Sequence, residues 1–230
     1  MHHKSLTLIA FLCAAAHAAT GVFFFLDPTR NLVAGSDAYW QMLAQQHWGR
    51  QAFLAAFAFI GVFAMGLVQA VRTSADAESW IGRWLANLAL LGYAVSAVSY
   101  FRLLGGEARR ALAYSQGDAA VQAAIRSFSL VLDPLGWLTF AAVGAFFLWA
   151  SWRAWKTRNW PRPVAALGMA VALGYLCAWL GLLLDLPALV KISAGLGATV
   201  LAPIWWLAWG RSSSHRAILV ENGSNTPSVR

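Results

Sequence analysis

Six apolar stretches, at about residues 5–26, 51–71, 80–101, 135–152, 163–184 and 189–210, take up most of this 230-residue chain. Each comes close to the ~20 helical residues that cross a ~30 Å hydrocarbon layer. The chain therefore reads as all-α: a polytopic transmembrane bundle of about six spans over residues 1–210, followed by a polar, disordered tail at 211–230. Two connections are long enough to hold structure, and helical segments are expected there at about 37–50 and 106–132. Ser36 or Asp37 is placed to cap the first and Asp118 to cap the second, after a break at Gly117. The six spans leave no room for a separate soluble catalytic domain.

Charge sets the expected orientation. Only 11% of residues are charged, and the larger share of the 17 Lys and Arg falls on the side of the N-terminus, where the acid-free "WRAWKTRNWPRP" turn lies. By the positive-inside rule both termini are cytoplasmic, and the address is a bacterial inner (plasma) membrane crossed several times. The net charge of +8 does not imply a nucleic-acid partner, because the cations are scattered at span ends, where they meet anionic lipid head groups. The N-terminal run with "AHA" imitates a cleaved signal but is long enough to span, so a retained first helix is expected. Cys13 and Cys177 lie inside spans at depths about 9 Å apart, too far for a disulfide.

Twelve of the 13 tryptophans fall near span ends or in the adjoining connections, the pattern of an interfacial aromatic belt. Trp40 and Trp48 are expected to face lipid. Small residues recur four apart at Gly168/Ala172, Gly174/Ala178, Ser193/Gly197 and Ala194/Ala198, a spacing that lets helix backbones approach closely. The last two spans thus read as an antiparallel hairpin.

Three of the nine acidic residues stand at span edges: Asp27 in "FFFLDPTRN", Asp133 in "LVLDPLGWL" and Asp185 in "LLLDLPALV". All three carboxylates belong to the same, outer surface in this orientation. Asp133 before Pro134 reads as an N-cap with proline at the first helical position. Asp27 and Asp185 close helices, where a carboxylate meets the negative end of the macrodipole, a penalty of at most ~1 kcal/mol that Arg30 and Lys191 can offset. Two readings follow. The aspartates are punctuation that stops helices, or, with His47, Arg50 and Arg102, they line an outward vestibule for a cation or small polar solute.

Inside the spans, His17 follows Cys13 by four residues on one helix face, and Asn87, Ser96, Ser99 and Gln69 are also polar. All are expected to hydrogen-bond between helices. A bis-histidine haem would need a second buried imidazole, and Lys191, at a span edge, is placed to snorkel rather than to carry retinal. No cofactor is assigned. The chain carries no phosphate loop, zinc-protease motif, nucleophile elbow or paired-cysteine motif.

The ending "LGATVLAPIWWLAWGRS" (196–212) and the preceding "WPRPVAALGMAVALGYL" (160–176) resemble a group of bacterial six-span integral membrane proteins classed as a domain of unknown function. The resemblance implies an all-helical inner-membrane protein and carries over no catalytic residue. Without a chemical motif, the leading expectation is an accessory or interaction protein, its partners being the lipid bilayer and either another membrane protein or a second copy of this chain. The alternatives are a small-solute or ion-coupled transporter using the outer aspartates, and a membrane redox or lipid-modifying enzyme using His17 and Cys13.

Overall fold

The computed structural model describes residues 3–77, 79–128 and 131–212, and among them there is helix and no strand. In chain order the elements are α1 (His3–Leu26), α2 (Asp37–Gln45), α3 (Trp48–Ser74), α4 (Trp80–Gln116) and α5 (Ala119–Ser127). A π-helical segment, Trp137–Ala142, then leads into α6 (Val143–Thr157), which is followed by α7 (Arg162–Leu183). The last span opens as α8 (Pro187–Ala194), loosens to π-helix over Gly195–Leu201, and returns to α-helix as far as Ser212. From residue 213 onward the tail lies outside the described residues; its first two positions, 211 and 212, are helical.

Five of these helices are long and apolar enough to cross a membrane: Ser5–Leu26, Trp48–Ser74, Trp80–Gln116, Arg162–Leu183 and Pro187–Ser212. The sixth crossing is the continuous run from Trp137 through α6, whose tryptophans and last-turn Lys156 dilute its apolar character. Within hydrocarbon each backbone N–H and C=O must find its partner inside its own segment, which is why these stretches are helices. The crossings alternate in direction, so both ends of the bundle lie together, opposite a cap built from α2, α5 and the far part of α4.

Three crossings stop in the same way. Asp76, Arg158 and Asp185 have φ near +55°, at 56°, 57° and 52°. Each sits just past a helix in the left-handed position usually held by glycine. Around Asp185 the Leu186 N–H reaches the Gly181 carbonyl at 2.7 Å and the Asp185 N–H reaches that of Leu182 at 3.4 Å, a Schellman closure. Asp76 repeats it, with the Ala77 N–H on Arg72 and the Asp76 N–H on Thr73.

α1 packs on α3, α3 on α4, α6 on α7, and α7 on the last span. Lipid gives helices no hydrophobic reason to associate, so contact depends on backbones coming close. Glycine permits this at several crossings. A Cβ on Gly61 would lie 2.7 Å from the Tyr93 carbonyl, one on Gly92 2.2 Å from that of Leu138, and one on Gly174 2.9 Å from the Gly197 Cα. The expected hairpin of the last two spans is thus present, with the Gly174 and Gly197 backbones touching. Both π-helical segments pass through such a notch, Leu138 at Gly92 and Gly197 at Gly174. Their wider turn brings the backbone up to the neighbouring helix.

The aromatic belt needs correction. Trp48, Trp80, Trp84, Trp137, Trp152 and Trp155 are exposed, as a belt requires. Trp160, Trp205, Trp206 and Trp209, however, are 0–3% exposed and pack with Phe146 and Phe147 into a plug at the uncapped end. Burial of an indole needs a partner for its N–H. The Ser74 oxygen accepts from Trp160 at 3.1 Å and from Trp209 at 3.2 Å, while its hydroxyl donates to the Val71 carbonyl; Trp205 donates to the Val164 carbonyl.

The third span does not end near residue 101. α4 is unbroken for 37 residues, about 55 Å, so residues 102–116 continue the membrane helix as a stalk. Arg, Ala and Leu make up nine of its 15 residues and favour helix, and its Ala111 and Tyr114 form a small core with Tyr39, Trp40 and Leu43 of α2. Trp40 therefore lies inside the cap, stacked on Tyr114 at 5.8 Å, and does not face lipid. Arg110 lies over the Trp40 ring, 5.3 Å from its centroid, and donates to the carbonyls of Ile125 and Phe128 at the end of α5.

Ser74→Ala is expected to cost about 2–4 kcal/mol, since two buried indole N–H groups lose their acceptor. Chemical unfolding in detergent, followed by tryptophan emission, measures it. Gly174→Ala should cost about 1–3 kcal/mol by overpacking, whereas Gly195→Ala, with open space at its Cβ position, should not destabilise.

Candidate functional site

The buried charges meet where the cap joins the bundle. Asp27 closes α1, Arg50 lies in the first turn of α3 and Glu107 lies on the stalk of α4. Arg50 bridges the two acids, with Nη1 3.3 Å from Asp27 Oδ2 and Nε 3.0 Å from Glu107 Oε2. Asp27 is 2% exposed, Glu107 5%, and the Arg50 side chain 20%. The remaining acceptors are also filled. Asp27 Oδ1 accepts from the Thr29 N–H at 2.8 Å and the Thr29 hydroxyl at 2.6 Å, and Tyr39 of α2 donates its hydroxyl to Glu107 Oε1. Burial, with Glu107 adding to it and Arg50 opposing it, holds the Tyr39 phenol well above its ordinary value of 10, so it stays a donor.

Two carboxylates and one guanidinium leave a net charge of −1, spread over neutral donors. With every acceptor occupied, the cluster ties α1, α2, α3 and α4 together. A second polar contact holds the same first turn of α2: Asp37 accepts from both Tyr114 of the stalk and Arg126 of α5. The first cluster thereby holds the cap to the bundle, and the second joins the three parts of the cap to one another.

Of the six residues read as a vestibule, the structure brings together only Asp27 and Arg50. Asp133 accepts from the backbone N–H groups of Trp137, Leu138 and Thr139 at 3.0, 2.8 and 2.8 Å. It therefore caps a helix that starts three residues later than Pro134, after Gly136 in a left-handed conformation (φ +69°) where a Cβ would strike Phe140. Asp185 is exposed in its Schellman turn, and His47 and Arg102 are exposed as well. Arg30 lies over the end of α1, donating to the Phe25 carbonyl at 2.8 Å. Asp133 thus caps a helix, Asp185 occupies a helix-ending turn and Asp27 carries the ion pair.

Sequence reasoning missed Glu107 and Tyr39. Both lie in connections that looked solvated, and only the unbroken α4 carries Glu107 back over Arg50.

A second polar group lies within the bundle. His17 Nδ1 donates to the Cys13 carbonyl at 2.8 Å, since a carbonyl can only accept, which leaves Nε2 facing the Tyr175 hydroxyl at 3.5 Å. The Tyr93 hydroxyl lies beside that of Tyr175. His17 and Cys13 are fully buried, and both cysteines are free thiols. The expectation of hydrogen bonding between helices holds for His17, whereas Asn87 lies on the exposed face of α4 and departs from it. Next to Tyr175 is a small apolar cleft of about 10 Å³, lined by Phe140, Gly174, Ala178, Ser193, Ala194 and Ala198.

Compared with protein-family models, curated proteins and solved structures, the chain matches none at a significant level.

Arg50→Met would strand two buried carboxylates. The expected loss is toward the lower end of about 3–5 kcal/mol, because Arg50 retains some solvent contact, and thermal unfolding in detergent measures it. The raised Tyr39 phenol gives a pH dependence. Its folded value lies above the unfolded 10, so its stability contribution is complete below pH 10 and is lost as pH rises through the folded value. The fall in melting temperature between pH 9 and 11 should be shallower in Tyr39→Phe than in wild type.

Proposed function

We propose that this protein is an accessory protein of the bacterial inner membrane, with both termini cytoplasmic, that holds a fixed extramembrane docking surface for another membrane protein. The observation that carries this reading is the fastening of the cap. Flexible connections between spans need no buried Asp–Arg–Glu bridge, and such a bridge adds little stability over apolar packing while constraining geometry. Here it fixes α2 and the α4 stalk at a set height and angle. The stalk and α5 turn Arg102, Arg109, Ser115 and Val121 outward, a mixed polar and apolar surface of the kind partners use.

What weighs against the transport reading is that Asp27 and Asp133 are held by internal partners, and only Asp185, His47 and Arg102 of the six residues are exposed. Redox or lipid-modifying chemistry at His17 is favoured by one observation, the adjoining Tyr175 and Tyr93 hydroxyls. A visible absorption band in the purified protein that shifts in His17→Ala would replace the accessory reading with this one.

The direct test is photo-crosslinking in living cells, with a benzophenone side chain at position 109 or 121 of the cap and at lipid-facing position 173 as control. Discrete heterologous adducts are expected from the cap positions only, and they should fall in Arg50→Met. Equal labelling at all three positions would sink the proposal. Labelling of Ser115→Cys by an impermeant maleimide added to intact spheroplasts tests the orientation.

A further inference from the structure

Asn87 marks a surface of α4 that the fold leaves open. Its side chain is exposed on the membrane-crossing part of the helix, about one turn deeper than Arg83 and about two turns deeper than Trp80, which place the head-group level. A carboxamide turned to hydrocarbon forgoes its hydrogen bonds, and Asn is too short to reach back to the head groups. Its neighbours along the helix form one continuous stripe. Trp80, Trp84, Leu91 and Val98 are all 49–70% exposed, and Gly105, about five turns from Asn87 on the same line, has nothing within 4 Å of its Cβ position. Among the described residues no helix covers that face.

We propose that this face of α4 is the contact between two copies of the chain, closed by reciprocal hydrogen bonds between the two Asn87 side chains. The choice of a second copy rests on complementarity. Copies inserted in the same direction are related by a two-fold axis along the membrane normal, which sets a residue on the axis opposite itself. An amide carries both donor and acceptor and satisfies its own twin, which a charged side chain does not. Arg102 and Arg109 fall on the same line of α4 and Arg83 beside it, all at or beyond head-group level. There long side chains reach water, and crossing helices diverge away from their closest point. The contact lies on α4 between Trp80 and Val98, separate from the cap, so it stands or falls independently of the accessory role.

Cysteine crosslinking in native membranes tests it, in a Cys177→Ser background. Disulfide-linked dimers are expected from Trp84→Cys and Leu91→Cys and not from Leu173→Cys, which is 53% exposed on α7. Adding Asn87→Leu should lower the crosslinked fraction about fivefold, the scale of one interhelical hydrogen bond, and Asn87→Gln should restore most of it. Thermal unfolding of Asn87→Leu should match wild type, which separates lost contact from lost fold. Equal crosslinking at position 173, or an unchanged dimer in Asn87→Leu, would overturn the proposal.

Discussion

Backbone contact at glycine is the constraint on which this bundle depends. Water drives apolar faces together in soluble proteins, but a leucine leaving lipid for a helix interface gains little by transfer. What remains is dispersion, which falls off steeply with distance. Gly61 against the Tyr93 carbonyl, Gly92 against Leu138 and Gly174 against Gly197 bring the backbones close enough for it to accumulate. The two π-helical stretches belong to the same solution, since each carries its backbone into one of these notches. The fold thus rests on absent side chains as much as on present ones.

Polar groups show the complementary economy. Hydrocarbon leaves an unpaired donor or acceptor costly, and several interior polar atoms serve one another, although the buried Trp40, Trp149 and Trp179 indole N–H groups and the Ser151 hydroxyl have no hydrogen-bond partner among the described residues. Ser74 answers two tryptophans, Cys13 and Tyr175 flank His17, and Asp133 gathers three backbone N–H groups. Arg50 goes further by drawing Asp27 and Glu107 together at the rim of the bundle, where Tyr39 completes the set. That cluster turns α2 and the α4 stalk from connections into parts of one body. Asn87 differs from these in lying on the exposed face of α4.

The three Asp edges show how one residue type reaches a similar depth for different reasons. Asp185 adopts the left-handed turn that ends α7, a conformation Asp tolerates better than most residues. Asp133 caps a helix start, and Asp27 enters the ion pair. Sequence reasoning grouped them by height in the membrane. The structure separates them by partner, because hydrogen bonds form over about 3 Å, far below the scale on which hydropathy locates a residue.

The helical class, the approximate span positions and the small-residue hairpin were legible in the chain, since hydropathy and four-residue spacing are local properties that hydrocarbon enforces segment by segment. Ser36 and Asp118 were equally legible as caps, because capping involves residues two or three positions away. The sorting of tryptophans into belt and core was not, nor was the continuity of α4, because both depend on which distant helix supplies an indole acceptor or an apolar neighbour. Asp27 and Arg50 were named from sequence, while Glu107 and Tyr39 joined them only through the packing of four helices. The sequence by itself determined what crosses the membrane. Tertiary structure decided which polar groups meet, because those meetings join residues far apart in the chain through contacts that no local pattern encodes.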